Sequence, residues 1–216
     1  MQEHRITVSR RARFHVLGDL ELAHDVWIVV HGYGQLASEF LAPFAPVIAP
    51  GRAVVAPEAL NRYYKERAGE QTHSETPVGA TWMTREDREA EIADYVAYLD
   101  AVAERVAPDG RRLTALGFSQ GVATVTRWAA MGARRIDRLI LWAGSLPRDL
   151  DLSAFSARLP TRALDVVIGT RDEYASWANV EEQRRAIESA GLALRLHSFE
   201  GGHRLDRKTL VALAEE

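Results

Sequence analysis

The sequence predicts an α/β fold in which a mostly parallel sheet carries helices on both faces. Strand-like and helix-like segments alternate along the chain, which is typical of parallel strands joined by helical crossovers. Residues 26–30 form a continuous apolar run, as expected for a central strand buried on both faces. Residues 117–121 form a Gly-x-Ser-x-Gly motif between a strand-like run and a helix-like run.

The predicted strands are short apolar runs that end at glycine, proline or polar residues. Two N-terminal runs, 4–9 and 12–17, are expected to form a hairpin at the sheet edge. Proline stops the predicted strand that begins at Arg52. In chain order, the remaining predicted strands are 26–30, Arg52–Pro57, 112–116, 139–143, 163–168 and Ala193–Phe199.

The predicted helices have apolar residues at helical spacing. In residues 85–106 this spacing is clearest, and Pro108 and Gly110 end the segment. Residues 38–47 are expected to form a short or kinked helix because they contain two prolines. The other predicted helices are 122–131, 177–190 and 207–214. Residues 58–80 are the least regular segment, and long loops within a compact domain are often functional.

Composition suits one domain, expected over residues 1–216, because 47% of the chain is hydrophobic. The net charge is −3 and the basic residues are dispersed, so we expect no nucleic-acid surface. The absence of cysteine excludes disulfides, thiolate metal sites and a cysteine nucleophile. With no apolar leader or long apolar run, we expect a cytoplasmic monomer or homodimer without a membrane span, cofactor or metal.

Ser119 is the candidate nucleophile. A serine on a sharp strand-to-helix turn projects its hydroxyl above the sheet edge, provided that small residues flank it. Gly117 and Gly121 meet this condition, since larger side chains would collide with the neighbouring strand and helix. A hydroxyl becomes a useful nucleophile only when a base takes its proton, so the motif requires partners elsewhere in the chain.

Two candidate partners follow the serine in the order of the α/β-hydrolase triad. Asp172 comes just after the apolar run 163–168, and His203 follows the last strand and a Gly-Gly pair. Asp165 is a poorer candidate for the acid because it lies within its strand. Upstream, the segment that starts at His31 has the position of a glycine-rich loop that supplies an oxyanion donor.

These motifs resemble the phospholipase/carboxylesterase family of α/β hydrolases, which includes acyl-protein thioesterase-like esterases. The segments that carry the resemblance are His31-Gly32-Tyr33-Gly34, Gly117-Phe118-Ser119-Gln120-Gly121, Gly169-Thr170-Arg171-Asp172 and Gly201-Gly202-His203. The resemblance spans residues 26–213 and implies an α/β-hydrolase fold with little or no cap. It also implies Ser119, Asp172 and His203 as the triad. The backbone amides of Tyr33 and Gln120 would form the oxyanion hole.

The sequence departs from the family pattern near the site. Tyr33 replaces a leucine and Gln35 an aspartate, while Glu173 and Tyr174 stand where a Val-Pro pair is usual. Backbone donation survives these changes, but a tyrosine at the cleft would narrow or polarise the acyl pocket.

The resulting expectation is a serine carboxylesterase that hydrolyses short- to medium-chain esters, with a small-molecule ester as its partner. A thioesterase or lysophospholipase with the same triad stays open, as does a non-catalytic binding module on the same fold. Tyr63 and Arg62 in the irregular segment and Trp82 just after it are tentative substrate contacts, although Trp82 could equally cap the core. His31 is expected to organise its loop through hydrogen bonds.

Overall fold

The computed structural model describes residues 1–65, 75–108, 110–174 and 177–216. Seven of the nine strands in these ranges form one sheet, and the other two pair with each other. The strands are β1 (Phe14–Leu17), β2 (Asp25–Val30), β3 (Arg52–Pro57), β4 (Asn61–Tyr64), β5 (Val78–Thr81), β6 (Arg112–Phe118), β7 (Arg138–Trp142), β8 (Ala163–Gly169) and β9 (Ala193–Phe199). The sheet order is β1-β3-β2-β6-β7-β8-β9. Only β1 runs antiparallel to its neighbour in this sheet, which confirms the mostly parallel prediction.

Helices cover both faces of the sheet, as predicted. They are α1 (Ala37–Leu41), α2 (Arg88–Val106), α3 (Gln120–Met131), α4 (Leu152–Arg158), α5 (Trp177–Ser189) and α6 (Arg207–Glu215). Strand β2 contributes alternately to two cores, because successive side chains of a strand point to opposite faces. Val26 and Ile28 pack in the cluster that includes α2 and α3, whereas Trp27 and Val29 pack in the cluster that includes α1 and α6.

The expected N-terminal hairpin is wrong. Residues 4–9 form no strand, and β1 pairs with β3 instead. The side chains of residues 1–12 are exposed, so the alternating apolar residues Ile6 and Val8 have no face to cover. Side-chain contacts hold this segment instead, such as the 2.7 Å ion pair between Arg5 and Asp87.

The prediction of a short or kinked helix at residues 38–47 is confirmed, because α1 ends at Leu41 and a 3₁₀ helix, Ala42–Val47, continues the chain. The irregular segment is more ordered than expected: β4 and β5 form a separate two-stranded antiparallel ribbon. Residues 66–74 of that segment lie outside the described residues. Helix α4 was not expected; the Asp151 carboxylate caps its first turn by accepting from the amides of Ser153 and Ala154.

No helix in the described ranges combines the length and apolar character needed to cross a lipid bilayer.

Candidate active site

Ser119 lies on a sharp turn between β6 and α3. Its backbone has φ 54° and ψ −116°, a strained combination for a residue with a side chain. A β-carbon on Gly117 would lie 2.3 Å from the carbonyl oxygen of Gly121, and one on Gly121 would lie 2.2 Å from that of Val30. The Ser119 amide donates a 2.9 Å hydrogen bond to the Trp142 carbonyl, which fixes the turn to the end of β7. The serine is therefore held at the carboxyl edge of the sheet, where open α/β sheets bind ligands.

The structure brings the three predicted triad side chains together. His203 Nε2 lies 2.9 Å from Ser119 Oγ, and His203 Nδ1 lies 3.0 and 3.1 Å from the two carboxylate oxygens of Asp172. A carboxylate is an acceptor, so the neutral imidazole carries its proton on Nδ1 and leaves Nε2 free to accept from the serine hydroxyl. The Asp172 side chain is fully buried and that of His203 is 18% exposed.

Backbone contacts hold the acid and histidine loops in register. The Arg171 amide donates to the Gly201 carbonyl at 2.8 Å, and a β-carbon on Gly169 would lie 2.4 Å from the same oxygen. The indole Nε1 of Trp142 donates to the Arg204 carbonyl at 2.9 Å, so the strand that fixes the elbow also holds the loop after His203.

Aromatic rings flank the imidazole. The ring centroid of His203 lies 5.0 Å from that of Phe118 and 4.8 Å from that of Tyr174. Tyr174 is one of the departures from the family pattern. Its ring is in edge contact with the imidazole, so this departure limits the orientations that His203 can adopt.

Asp165 is occupied elsewhere. Its fully buried carboxylate accepts from Arg138, Arg195 and His197 at 2.8 to 2.9 Å. Burial alone would raise the pKa of Asp165, but hydrogen bonds from His197 and Arg138 hold it below its ordinary value. This network joins β7, β8 and β9 and lies apart from the triad.

One group with metal-ligand spacing occurs in the described part of the chain: Asp165, His197 and Glu216. Two guanidinium groups already contact the Asp165 carboxylate, and Arg138 also contacts Glu216 at 2.8 Å. A further cation would be repelled by these positive charges, so the chemistry of this cluster favours an ion-pair network.

Gly32 brings the loop after β2 against the elbow. A β-carbon on Gly32 would lie 3.2 Å from Ser119 Cβ and 3.1 Å from the Phe118 ring. The Gly32 amide donates to Gln35 Oε1 at 2.8 Å. Gln35, which departs from the family pattern, thus caps the loop that contains it. Since Oε1 is the acceptor, the Gln35 carboxamide is oriented by this contact.

The amides of Tyr33 and Gln120 are the predicted oxyanion donors. Neither donates a hydrogen bond to another described residue. The Gln120 amide begins α3, and the N-terminus of a helix carries a partial positive charge that favours an anion. The oxyanion role of both amides stays a prediction.

The buried His31 ring holds the same loop through two hydrogen bonds. Its Nδ1 donates to the Gly32 carbonyl at 2.8 Å, and its Nε2 accepts from the Ala59 amide at 3.1 Å. This pair of contacts requires the neutral ring. Burial lowers the pKa of His31, which agrees with a structural role rather than proton transfer.

The three tentative substrate contacts lie outside the cleft at Ser119. Trp82 is only 2% exposed, and its indole Nε1 donates to the His31 carbonyl at 2.9 Å. Arg62 pairs with buried Glu58, with 2.5 Å between Nε and Oε1. The Tyr63 ring lies 5.3 Å from that of Tyr33, and burial raises the pKa of Tyr63. Tyr63 therefore borders residues 31–35, the predicted oxyanion loop, while buried Trp82 donates a hydrogen bond to that loop.

A cleft of about 400 Å³ opens beside the nucleophile. Its lining combines triad and loop residues with an apolar floor and two opposite charges: Gly32, Tyr33, Gln35, Glu39, Phe40, Pro43, Phe118, Ser119, His203, Arg204 and Leu205. A second cavity of about 400 Å³ lies between residues 145–152 and α5, and Ser119 does not line it. Residues 145–152 thus border a different cavity from the one that contains the serine.

The fold and the serine site define an α/β hydrolase. The chain belongs to the serine hydrolase (FSH1) family, whose model matches residues 29–210. The chain is accordingly a serine hydrolase enzyme, as the motifs predicted. No curated protein matches the sequence.

Solved structures share the fold at low sequence identity. The crystal structure of an acyl-protein thioesterase 2 from Zea mays is 14% identical, with 95% of this chain and 97% of that chain covered and a TM-score of 0.69. A carboxylesterase from Mesorhizobium loti is 18% identical, with 94% and 93% covered and a TM-score of 0.68. The Bacillus cereus carboxylesterase is 17% identical, with 94% and 92% covered and a TM-score of 0.66. These likenesses agree with the resemblance drawn from the motifs.

Proposed function

We propose that this protein is a serine carboxylesterase that hydrolyses short- to medium-chain carboxylic esters through an acyl-enzyme on Ser119. The observation that carries the proposal is the continuous chain of hydrogen-bond contacts from Ser119 Oγ through His203 to Asp172. Membership of the serine hydrolase family supports it, and the esterase and thioesterase names among the structural neighbours suggest the bond that is cleaved.

In the proposed first step, His203 Nε2 takes the hydroxyl proton as Ser119 Oγ attacks the ester carbonyl carbon. Negative charge then develops on the carbonyl oxygen, where the amides of Tyr33 and Gln120 would stabilise it. Asp172 holds the imidazole tautomer and stabilises the imidazolium without accepting the proton. The imidazolium gives its proton to the leaving alcohol, and the acyl group remains on the serine.

Water completes the cycle by the same route. His203 accepts a proton from water, whose oxygen attacks the acyl-enzyme carbonyl, and the imidazolium returns that proton to Ser119 Oγ as the carboxylic acid leaves. Side chains, backbone amides and water supply every group that these steps require.

The proposed chain length rests on the cleft. Its volume of about 400 Å³ is near the lower end of the range for small-molecule sites. Its apolar lining includes Phe40, Pro43, Phe118 and Leu205, and its charged lining consists of Glu39 and Arg204. A small cleft with both kinds of lining favours a compact acyl group.

A thioester is the second candidate substrate, because the same acyl-enzyme forms from either bond and a neighbour is named an acyl-protein thioesterase. Comparing kcat/KM on an oxygen ester and a sulfur ester with the same acyl group separates the two. A lysophospholipase with the same triad is the other alternative.

The direct test measures kcat/KM on nitrophenyl esters of increasing chain length. Ser119→Ala should lower turnover by about 1,000-fold or more, while far-UV circular dichroism stays unchanged, because the nucleophile is lost and the fold is not. A variant that keeps more than about a tenth of the wild-type rate contradicts the assignment of the nucleophile. A preference for acyl chains beyond about twelve carbons contradicts the proposed chain length.

The same proposal includes three further points. Residues 1–216 act as one domain, the protein is cytoplasmic, and it is a monomer or a homodimer. The absence of cysteine is compatible with a reducing compartment.

A further inference from the structure

We propose that the Gln120 side chain is a positioning residue that holds the two oxyanion donors in register. Its backbone amide is one proposed donor, and its carboxamide acts on the other donor, the Tyr33 amide, through residues 80–83. The inference rests on the proposed function, since it concerns the oxyanion hole of that same site.

Each group of the Gln120 carboxamide contacts the end of β5 or the residues that follow it. Oε1 accepts from the Trp82 amide at 3.2 Å, and Nε2 donates to Thr81 Oγ1 at 2.9 Å and to the Met83 carbonyl at 3.0 Å. Thr81 Oγ1 also donates to the Met83 carbonyl at 3.0 Å. Three consecutive residues are therefore fixed to the first residue of α3.

The same short segment holds the oxyanion loop on both sides of Tyr33. Before it, the Trp82 indole donates to the His31 carbonyl at 2.9 Å, and the two rings lie 5.1 Å apart. After it, the Gly34 amide donates to the Ala80 carbonyl at 2.8 Å. The position of the Tyr33 amide thus depends on where residues 80–82 lie.

Burial makes this connection stiff. Trp82 and Ala80 are 2% and 0% exposed, and His31 is fully buried. Polar groups at such depth cannot exchange a lost protein partner for bulk water, so breaking one contact costs more than it would at the surface. The loop therefore has few alternative positions while Gln120 holds its partners.

Oxyanion stabilisation depends on where the donors point. Removing one donor typically costs about 100- to 1,000-fold in kcat, and a donor must lie within hydrogen-bond range of the developing oxyanion. Loss of the Gln120 carboxamide removes neither backbone donor, but it displaces the Tyr33 amide. We therefore expect a loss of about 10- to 100-fold, in kcat rather than in KM, because a displaced oxyanion donor weakens the transition state more than the bound ester.

The experiment compares three variants with the wild-type protein. Gln120→Met keeps the side-chain length and removes its hydrogen bonds, whereas Trp82→Phe removes the indole bond to the His31 carbonyl and makes the buried ring smaller. Trp128→Phe is the matched control, because it removes a 2.8 Å indole bond to Asp100 from a buried position on α3 outside the oxyanion loop. Each variant is checked for folding by circular dichroism and thermal unfolding.

Two readouts decide the proposal. In Gln120→Met and Trp82→Phe, kcat should fall by about 10- to 100-fold with KM within about threefold, and the Gly34 amide should exchange its hydrogen at least about tenfold faster. Because both changes act through one segment, the double variant should lose little more than the worse single variant. Trp128→Phe should lower the melting temperature while leaving kcat and Gly34 exchange unchanged.

A folded Gln120→Met protein with wild-type kcat, or with unchanged Gly34 exchange, overturns the proposal. If Gln120→Met does not fold, Trp82→Phe gives the same decision through the same readouts. If the wild-type protein hydrolyses no ester, the proposed function fails instead, and amide exchange still shows whether Gln120 holds the loop.

Discussion

At the residue scale, the aspartate within β8 and the aspartate that follows this strand have different surroundings. Asp172 lies beyond β8 and contacts His203, whereas Asp165 lies within β8 and contacts two arginines and His197. One carboxylate can orient a general base, and the other binds neighbouring strands together. The position of each within or beyond its strand was readable in the sequence, but the arginine partners of Asp165 were not.

Asp172→Asn should lower kcat by about 10,000-fold with little change in KM, because an amide can stabilise the wrong imidazole tautomer. The measurement is steady-state ester hydrolysis at neutral pH. Asp165→Asn is the paired control: it weakens a buried ion-pair network and should reduce the free energy of unfolding while the folded protein keeps its kcat. A sensitive Asp165 beside a tolerant Asp172 would reverse the assignment of the acid.

Sequence reasoning identified the triad candidates because each follows a strand-like segment in a known order. It missed the Gln120 side-chain contacts, since Trp82 lies 38 positions away and no local pattern links the two. It also assigned Trp82 tentatively to the substrate, although the indole is buried behind the oxyanion loop. A buried aromatic and a cleft aromatic have the same sequence signal when the segment around them is irregular.

At the element scale, the elbow depends on close approach between β2, β6 and α3. Gly121 lies against the Val30 carbonyl, and Gly117 lies against Gly121, so the helix starts within contact distance of two strands. The Gly-x-Ser-x-Gly spacing predicted this approach. The β4–β5 ribbon was not predicted, because each of its strands has only four residues. The side chains of β4 alternate between half-buried and exposed, so the strand has no fully buried face.

Gly121→Ala should destabilise the protein and reduce activity, since the added β-carbon would lie 2.2 Å from a backbone oxygen that cannot rotate away. Overpacking of this kind typically costs about 1–3 kcal/mol. Gly202→Ala is the control, because its β-carbon would meet only the Arg171 carbonyl at 3.5 Å, an ordinary contact. Urea unfolding of both variants checks the prediction, and equal stabilities would show that the elbow has room.

At the whole-molecule scale, alternation and apolar runs predicted the parallel sheet and its two helical layers. The sheet edge formed by the N-terminal part of the chain was predicted poorly. The alternating residues 4–9 satisfied the strand pattern, yet β1 pairs only with β3, and the exposed side chains of residues 4–9 cover no apolar face. A local pattern indicates that a strand is possible, whereas the neighbouring elements decide whether it pairs.

Acid should weaken the whole fold in two stages. Burial lowers the pKa of His31, so the unfolded chain takes up a proton below about pH 6.5 that the folded protein resists. The His31 contribution is complete above that pH and is lost as the pH falls further. Asp165, whose folded pKa is also lowered, contributes above its unfolded value of 3.8 and loses its contribution only in stronger acid.

Urea unfolding at about pH 7.5 and about pH 5.5 measures the first stage, which should appear as a lower free energy of unfolding at the lower pH. Proton NMR of the imidazole should show that the pKa of His31 lies below the ordinary value of about 6.5. Titration of His31 at or above its ordinary value would contradict the neutral, loop-organising role.

The most direct test of Ser119 as the acyl-accepting residue is mass spectrometry of the protein quenched in acid during ester turnover. The peptide that contains Ser119 should gain the mass of the acyl group, and the same peptide from Ser119→Ala should not. Continued turnover with no acyl group on Ser119, or acylation of another residue, would contradict the proposed mechanism.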